Sequence, residues 1–195
     1  MVKIISKLKG VTIKTVYLIR HAKSDWSDPK ARDFERGVKK RGKKDIKTIA
    51  NYLKLSSITP DIILSSSALR AQITSEKIAD TIGYNGKVHY MNELYSSDPE
   101  TIVNILSLQD DGDNSIFVVG HNPTLTELAN FLAKEDIKKI PTSGVVAIKF
   151  DIDSWEEIDE NSGDLDFMIY PNLFRYYMPR QIRTNWDKRE ELDTL

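Results

Sequence analysis

Residues 16–21 read VYLIRH, and residues 116–121 read IFVVGH. Each stretch is a short apolar run, rich in β-branched residues, that leads into a histidine. Unbroken apolar runs of this length are typical of strands buried on both faces of a parallel sheet. In such sheets, ligands bind at the carboxyl ends of the strands. The two stretches therefore place His21 and His121 where a binding site is expected.

The rest of the chain continues this alternation of strands and helices. Further apolar runs predict strands at residues 61–64 and 145–150, and a weaker one at residues 87–91. Apolar residues at helical spacing predict helices between the strands, at residues 45–55, 68–82, 99–108 and 125–132. This order predicts an α/β, three-layer fold in which a mostly parallel sheet carries helices on both faces. We expect the acidic segment 151–166 to form an exposed hairpin or loop.

Composition limits the classes of function. The chain has 195 residues, of which 40% are hydrophobic and 29% charged, as expected of one soluble globular domain. A formal net charge of −1 gives no argument for nucleic acid or an anionic membrane as a partner. The absence of cysteine excludes disulfides, thiol catalysis and thiolate metal sites. No signal peptide or membrane-spanning run is recognisable, so we expect a cytoplasmic protein.

Polar residues suited to an anion follow three of the predicted strands. Arg20 and His21 end the first, three serines and then Arg70 follow the second, and His121 follows the third. Helices are predicted to begin after the second and third strands, and helix N-termini offer free N–H groups and a positive dipole end to phosphate. Arginine can bind phosphoryl oxygens through two N–H groups at once. The residues therefore predict an anion pocket, most simply a phosphate site, that contains two imidazoles.

Three motifs resemble those of one known family. RHAKSDWS at residues 20–27 resembles the RHG signature of the histidine phosphatase (phosphoglycerate mutase-like) superfamily, SSSALRAQIT at 65–74 its second motif, and VGHNP at 119–123 its third. The stretches RHAKSDW, DFERGVKKRG and PTSGVVAI are most similar to the SixA-type phosphohistidine phosphatases. The resemblance implies a phosphoglycerate mutase-like fold. We divide the chain into an N-terminal extension at 1–14, a histidine phosphatase domain at 15–171 and a C-terminal tail at 172–195.

The resemblance implies a role for four motif residues. His21 would be the nucleophile that receives the phosphoryl group. Arg20, Arg70 and His121 would bind the phosphoryl oxygens, where negative charge gathers in the transition state. His21 has to be neutral at the attacking nitrogen, whereas a bound phosphate would raise the pKa of His121. This mechanism needs neither a metal ion nor another cofactor.

Four further residues are candidates on weaker grounds. Ser27 stands where many relatives carry an asparagine that contacts the phosphate, and Ser24 is a candidate supporting hydroxyl. Glu93 lies in the region where many superfamily phosphatases place the general acid that protonates the leaving group, an arrangement that the SixA type lacks. Arg36 is a candidate for contacting the substrate beyond its phosphate.

Three functions remain open from the sequence. The first is a metal-independent phosphatase that removes phosphate from phosphohistidine in a signalling or phosphotransfer protein. The second keeps the same core but acts on a small phosphomonoester or another phosphorylated metabolite. The third is a non-catalytic phosphate-binding adaptor, against which the intact His21, Arg70 and His121 argue. The sequence gives no expectation for the oligomeric state.

Overall fold

Six strands form one sheet in this structure, a computed structural model that describes residues 13–177. The strands are β1 (Ile13–Arg20), β2 (Ile62–Ser66), β3 (Val88–Met91), β4 (Ser115–Gly120), β5 (Val145–Asp151) and β6 (Gly163–Ile169). They lie in the order β3-β2-β4-β1-β5-β6. The first four of these pair in parallel, whereas β5 is antiparallel to both of its neighbours. The prediction of a mostly parallel sheet is confirmed.

Helices cover both faces of the sheet. They are α1 (Lys40–Leu55), α2 (Leu69–Ile82), α3 (Pro99–Ser107), α4 (Thr124–Ala133) and α5 (Pro171–Tyr177). Side chains alternate between the faces of a strand, so Val16 and Leu18 of β1 join residues of α3 and α4 in one core. Tyr17 and Ile19 join α1 and α2 in the other. The predicted three-layer arrangement is therefore confirmed.

The acidic segment after β5 forms the connection of the antiparallel hairpin β5–β6, as expected, but it is not exposed throughout. It contains a 3-10 turn, Trp155–Glu157, in which Trp155 is fully buried. The indole N–H of Trp155 donates to the carbonyl of Asp113 at 2.7 Å, and the Lys14 ammonium lies 5.0 Å from the centre of its ring. The charged residues around Trp155 concealed one large side chain that belongs to the core.

The ends of the described region bear on the predicted division of the chain. Strand β1 begins at Ile13 and so includes Lys14, which the sequence analysis assigned to the N-terminal extension. Helix α5 follows β6 and packs on α1, where the Phe174 and Tyr52 ring centres are 5.3 Å apart. Residues 1–12 and 178–195 lie outside the described residues, so the three-part division stays a prediction. Between residues 13 and 177, no helix is long and apolar enough to cross a bilayer.

Candidate active site

The two histidines of the motifs meet at the carboxyl edge of the sheet. In the parallel pair β1–β4, Arg20 lies opposite Gly120, so His21 and His121 both follow at the same edge. The backbone N–H of His21 donates to the carbonyl of Gly120 at 3.0 Å. The ring centres of His21 and His121 are 4.8 Å apart, and the two residues are only 8% and 9% exposed. The site is therefore a buried imidazole pair at the end of two central strands.

One hydrogen bond fixes which ring nitrogen of His21 is free. Nδ1 lies 2.7 Å from the carbonyl oxygen of Ala22. A carbonyl can only accept, so Nδ1 carries the proton and Nε2 holds the lone pair of the neutral ring. Burial lowers the pKa of His21 to about 4, helped by the charges of Arg70 and Arg20 and opposed by the bond to Ala22. At neutral pH, His21 therefore presents an unprotonated Nε2.

The peptide that orients His21 is held in turn by α2. The N–H of Ala22 donates to the Thr74 hydroxyl at 3.0 Å, and that hydroxyl donates to the carbonyl of Arg70 at 2.6 Å. Ala22 and Thr74 are fully buried, which leaves no room for this connection to shift. The helix that carries Arg70 thus also sets the direction of the His21 ring.

Arg70 lies between the two histidines. Its Nε–H points to Nε2 of His21 at 3.3 Å, and its Nη2 lies 3.3 Å from Nδ1 of His121. Its Nη1 donates to the carbonyl of Asp33 at 2.6 Å, and its Nη2 donates to Oδ2 of Asp33 at 2.9 Å. Arg70 is only 6% exposed. A guanidinium stays charged even when buried, so the pair of neutral imidazoles shares one fixed positive charge.

His121 has the opposite tautomer from His21. Because Arg70 can only donate, the facing Nδ1 of His121 holds a lone pair, and Nε2 carries the proton. That Nε2 lies 2.8 Å from the hydroxyl oxygen of Ser66, at the end of β2. Burial lowers the pKa of His121 to about 3, and the nearby His21 and Arg70 lower it further. His121 is therefore neutral at neutral pH. The negative charge of a bound anion would be needed to raise its pKa enough for protonation.

Arg20 completes the cationic side of the site. Its Nη1 donates to the carbonyl of Ile140 at 2.7 Å, and Asn122 donates to the same oxygen at 3.2 Å. Burial lowers the pKa of Arg20. Among residues 13–177, the buried Nε of Arg20 has no hydrogen-bond partner. An anionic oxygen would satisfy such a donor.

The structure brings Arg20, His21, Arg70 and His121 together, and the roles of the four weaker candidates stay predictions. Glu93 is exposed in the loop after β3. Ser27 is exposed on the loop after His21, where its N–H donates to Asp25 at 3.0 Å.

Arg36 and Ser24 have partners of their own in the segment that follows His21. The Arg36 guanidinium stacks 4.1 Å above the Trp26 ring and donates to the carbonyl of Asp28 at 3.1 Å. Ser24 pairs through its backbone with Val38. Within the described part of the chain, none of the weaker candidates hydrogen-bonds to either histidine or to Arg70.

Two residues of the site were not singled out from the sequence. Asp33, in the 3-10 turn Asp33–Glu35, binds Arg70, and the Tyr95 hydroxyl donates to Oδ2 of Asp33 at 2.9 Å. The Tyr95 ring packs edge-on against His121 with 5.4 Å between ring centres. Both residues belong to connecting segments far from Arg70 and His121 in sequence, and no spacing rule links such segments. Asp33 does stand in the DFERG stretch that carried part of the resemblance.

The arrangement suits attack on an electrophile that carries anionic oxygens. It offers one unprotonated imidazole nitrogen, Nε2 of His21, which accepts a long hydrogen bond from Arg70, and a second guanidinium group, that of Arg20, lies near it. Phosphoryl groups have this character, and histidine is a competent nucleophile towards them. Within residues 13–177, no group of three or more histidine, aspartate or glutamate side chains could hold a metal ion.

Comparisons with known proteins agree with the motifs. The sequence model of the histidine phosphatase superfamily (branch 1) matches residues 16–96, which include His21 and Arg70. An uncharacterized chloroplastic protein of Arabidopsis thaliana is 31% identical over 159 residues, covering 77% of this chain and 72% of that protein.

Solved structures share the architecture. A protein of Agrobacterium tumefaciens assigned as the phosphohistidine phosphatase SixA is 29% identical with a TM-score of 0.71, over 81% of this chain and 98% of that chain. The protein histidine phosphatase SixA in complex with tungstate is 23% identical with a TM-score of 0.72, over 82% and 99%. These likenesses confirm the predicted phosphoglycerate mutase-like fold. The chain belongs to the histidine phosphatase superfamily, as its three motifs predicted.

Proposed function

We propose that the protein is a phosphatase that works through a covalent phosphohistidine on His21 and that its substrate is phosphohistidine in a signalling or phosphotransfer protein. Membership of the superfamily and the SixA-like structures support phosphatase activity. The observation that carries the proposal is the hydrogen bond from Nδ1 of His21 to Ala22, because it leaves Nε2 unprotonated, as attack on phosphorus requires.

The reaction proceeds in two displacements at phosphorus. First, the Nε2 lone pair of His21 forms a bond to phosphorus while the P–N bond of the substrate breaks, and the leaving imidazole takes that electron pair and a proton from solvent. Next, water attacks the phosphoryl group on His21, Nε2 takes back its electron pair, and inorganic phosphate leaves. Two easier steps thus replace one difficult transfer.

Positive charge around His21 stabilises both transition states. Arg70 and Arg20 supply it permanently: the Nε–H of Arg70 faces Nε2 of His21, and the buried Nε of Arg20 has no hydrogen-bond partner among the described residues. His121 is neutral at neutral pH, but the negative charge of a phosphoryl group raises the pKa of its ring and favours a proton on Nδ1. His121 then becomes a third cation only when substrate is present. Neither displacement requires a metal ion.

The surroundings of the site favour a leaving group that needs little acid assistance. Asp33 is the carboxyl group that binds Arg70, and its hydrogen bonds hold it in the ionised form, which is a poor acid. Glu93 is exposed in a loop. An alkoxide leaving group needs a proton from an acid, whereas the imidazole of phosphohistidine departs more readily. A phosphoramidate substrate is therefore proposed over a phosphate ester.

The test compares two substrates side by side, with a chelator present to remove metal ions. One is a phosphotransfer domain phosphorylated on histidine, and the other is phosphoserine, whose alkoxide needs an acid. We expect fast loss of phosphate from the domain and poor turnover of phosphoserine. Glu93→Gln should change neither rate, like Glu100→Gln, a matched exposed glutamate at the start of α3.

Other outcomes would replace the proposal. Fast turnover of phosphoserine with an untouched phosphoprotein would make the protein a small-molecule phosphatase. If Glu93→Gln then slowed phosphoserine turnover while Glu100→Gln did not, Glu93 would be the general acid. Absence of turnover on both substrates would favour a non-catalytic phosphate-binding adaptor.

A further inference from the structure

The guanidinium of Arg70 has two edges, and the structure uses them differently. The inner edge, formed by Nε and one N–H of Nη2, faces Nε2 of His21 and Nδ1 of His121 at 3.3 Å each. The outer edge, formed by Nη1 and the other N–H of Nη2, is bound to Asp33 through its backbone and side-chain oxygens. A phosphoryl group beside His21 would meet the inner edge, whose two parallel donors suit two of its oxygens.

Asp33 is itself held in place by Tyr95. The Tyr95 hydroxyl donates to the same Oδ2 that accepts from Arg70, at 2.9 Å in each case. The Tyr95 ring meets His121 edge-on, and Phe34, next to Asp33, meets Tyr95 edge-on with 4.9 Å between centres. Burial acts to raise the pKa of Asp33, but the hydrogen bonds from Tyr95 and Arg70 outweigh it and hold that pKa below its ordinary value. The carboxylate therefore keeps its charge at neutral pH.

We propose that Asp33, oriented by Tyr95, is a positioning residue that binds the outer edge of Arg70 and thereby orients the inner edge towards the phosphoryl group. The inference rests on the proposed function and adds two residues to it. Asp33 lies on the 3-10 turn Asp33–Glu35, and Arg70 lies on α2. The hydrogen bonds between Asp33 and Arg70 therefore join two separate elements. Without them, a long arginine side chain would have several conformations available in the site.

The proposal opposes what charge alone predicts. Asp33 is a negative group beside an anion site, and its removal by itself would strengthen the binding of an anion. Stronger anion binding is also expected on removal of Asp33 if Asp33 is only a competitor that pairs with Arg70 until the substrate displaces it. A positioning role predicts weaker binding and slower turnover, because a misplaced donor loses contact with the transition state. The sign of the change therefore separates these explanations.

The experiment compares Asp33→Asn with Glu35→Gln in the full-length protein. Both side chains are 49% exposed and belong to the same turn, but among residues 13–177 the ion pair of Glu35 is with exposed Arg32 alone. Binding of orthovanadate, which adopts the five-coordinate geometry of the transition state, and of inorganic phosphate is titrated directly. We expect Asp33→Asn to weaken vanadate binding by up to about a hundredfold, phosphate binding less, and kcat more than KM. Glu35→Gln should leave all of these unchanged.

Tyr95→Phe provides an independent test, because it removes one hydroxyl and keeps the ring packed on His121. It should change vanadate binding in the same direction as Asp33→Asn and by less. Tighter vanadate binding in Asp33→Asn, or equal losses in Asp33→Asn and Glu35→Gln, would overturn the positioning role. The titrations need no turnover. A wild type that binds vanadate but is inactive would contradict the proposed function, and the comparison of vanadate binding between Asp33→Asn and Glu35→Gln would still decide the positioning role.

Discussion

At the scale of single residues, the central feature is a pair of histidines that are neutral for a physical reason. Burial removes the water that would solvate an imidazolium, and Arg70 adds a positive charge between the rings. The two rings then divide their tasks through opposite tautomers, set by Ala22 for His21 and by Arg70 for His121. His21 offers a lone pair for attack, and His121 is protonated only when a bound anion raises its pKa.

This arrangement has a measurable effect on stability. The pKa values of about 4 for His21 and about 3 for His121 lie below the 6.5 expected in the unfolded chain. The unfolded state therefore binds more protons below pH 6.5, and the stabilisation present above that pH is lost as the pH falls towards 3. As the pH falls from 7 to 5, we expect the free energy of unfolding to decrease by on the order of 2 kcal/mol for each of the two histidines. Urea denaturation at a series of pH values measures this decrease.

Substitutions identify the groups responsible. His121→Gln should make the loss of stability between pH 7 and 5 smaller, because one buried titrating group is gone. His89→Gln is the matched control, since His89 is exposed on the edge strand β3. It should leave the pH dependence as in the wild type. A pH dependence that is the same in all three proteins would show that His121 does not titrate as described.

At the scale of elements, α1 supports the site by packing closely against the segment that follows His21. The N–H of Lys39 donates to the carbonyl of Lys23 at 3.1 Å, and Ser24 pairs with Val38. At Gly42, in the first turn of α1, an added Cβ would come within 2.8 Å of the carbonyl oxygen and 3.0 Å of the nitrogen of Lys23. The helix can approach this backbone only because residue 42 has no side chain.

Gly42→Ala should therefore destabilise the protein by about 1–3 kcal/mol through overpacking. An exposed Gly→Ala change in a helix would instead stabilise it by up to about 1 kcal/mol, so the sign of the change is informative. Gly37→Ala is the control, because there the nearest atoms to an added Cβ are flexible side-chain carbons at 3.8 and 3.9 Å. Urea denaturation of the three proteins measures the difference. Equal stability of Gly42→Ala and Gly37→Ala would contradict the close packing.

Sequence patterns predict elements and strand ends better than they predict what the loops contribute. His21 and His121 could be placed because each follows an unbroken apolar strand, and parallel strands bring their carboxyl ends together. Asp33 and Tyr95 could not, because each reaches Arg70 from a connecting segment whose path depends on the finished fold. Glu93 lies in such a loop with its side chain exposed, and its role as general acid stays a prediction.

At the scale of the whole molecule, the sheet order places side by side three strand ends that carry residues of the site. Strands β2, β4 and β1 are adjacent and parallel, and they deliver Ser66, His121 and His21 to one edge. The antiparallel β5 lies on the other side of β1, where the backbone N–H of Arg20 donates to the carbonyl of Gly144 at 3.0 Å. The site is thus built where independent elements meet.

The central claim is that phosphate passes through Nε2 of His21, and rapid quenching tests it most directly. The protein is mixed with a phosphohistidine-bearing domain, stopped in alkali, which preserves phosphohistidine, and mapped by mass spectrometry. The account predicts an early burst of phosphate bound to His21 and no phosphoenzyme or turnover in His21→Asn. Full turnover in His21→Asn, or phosphate found on a different residue, would contradict it.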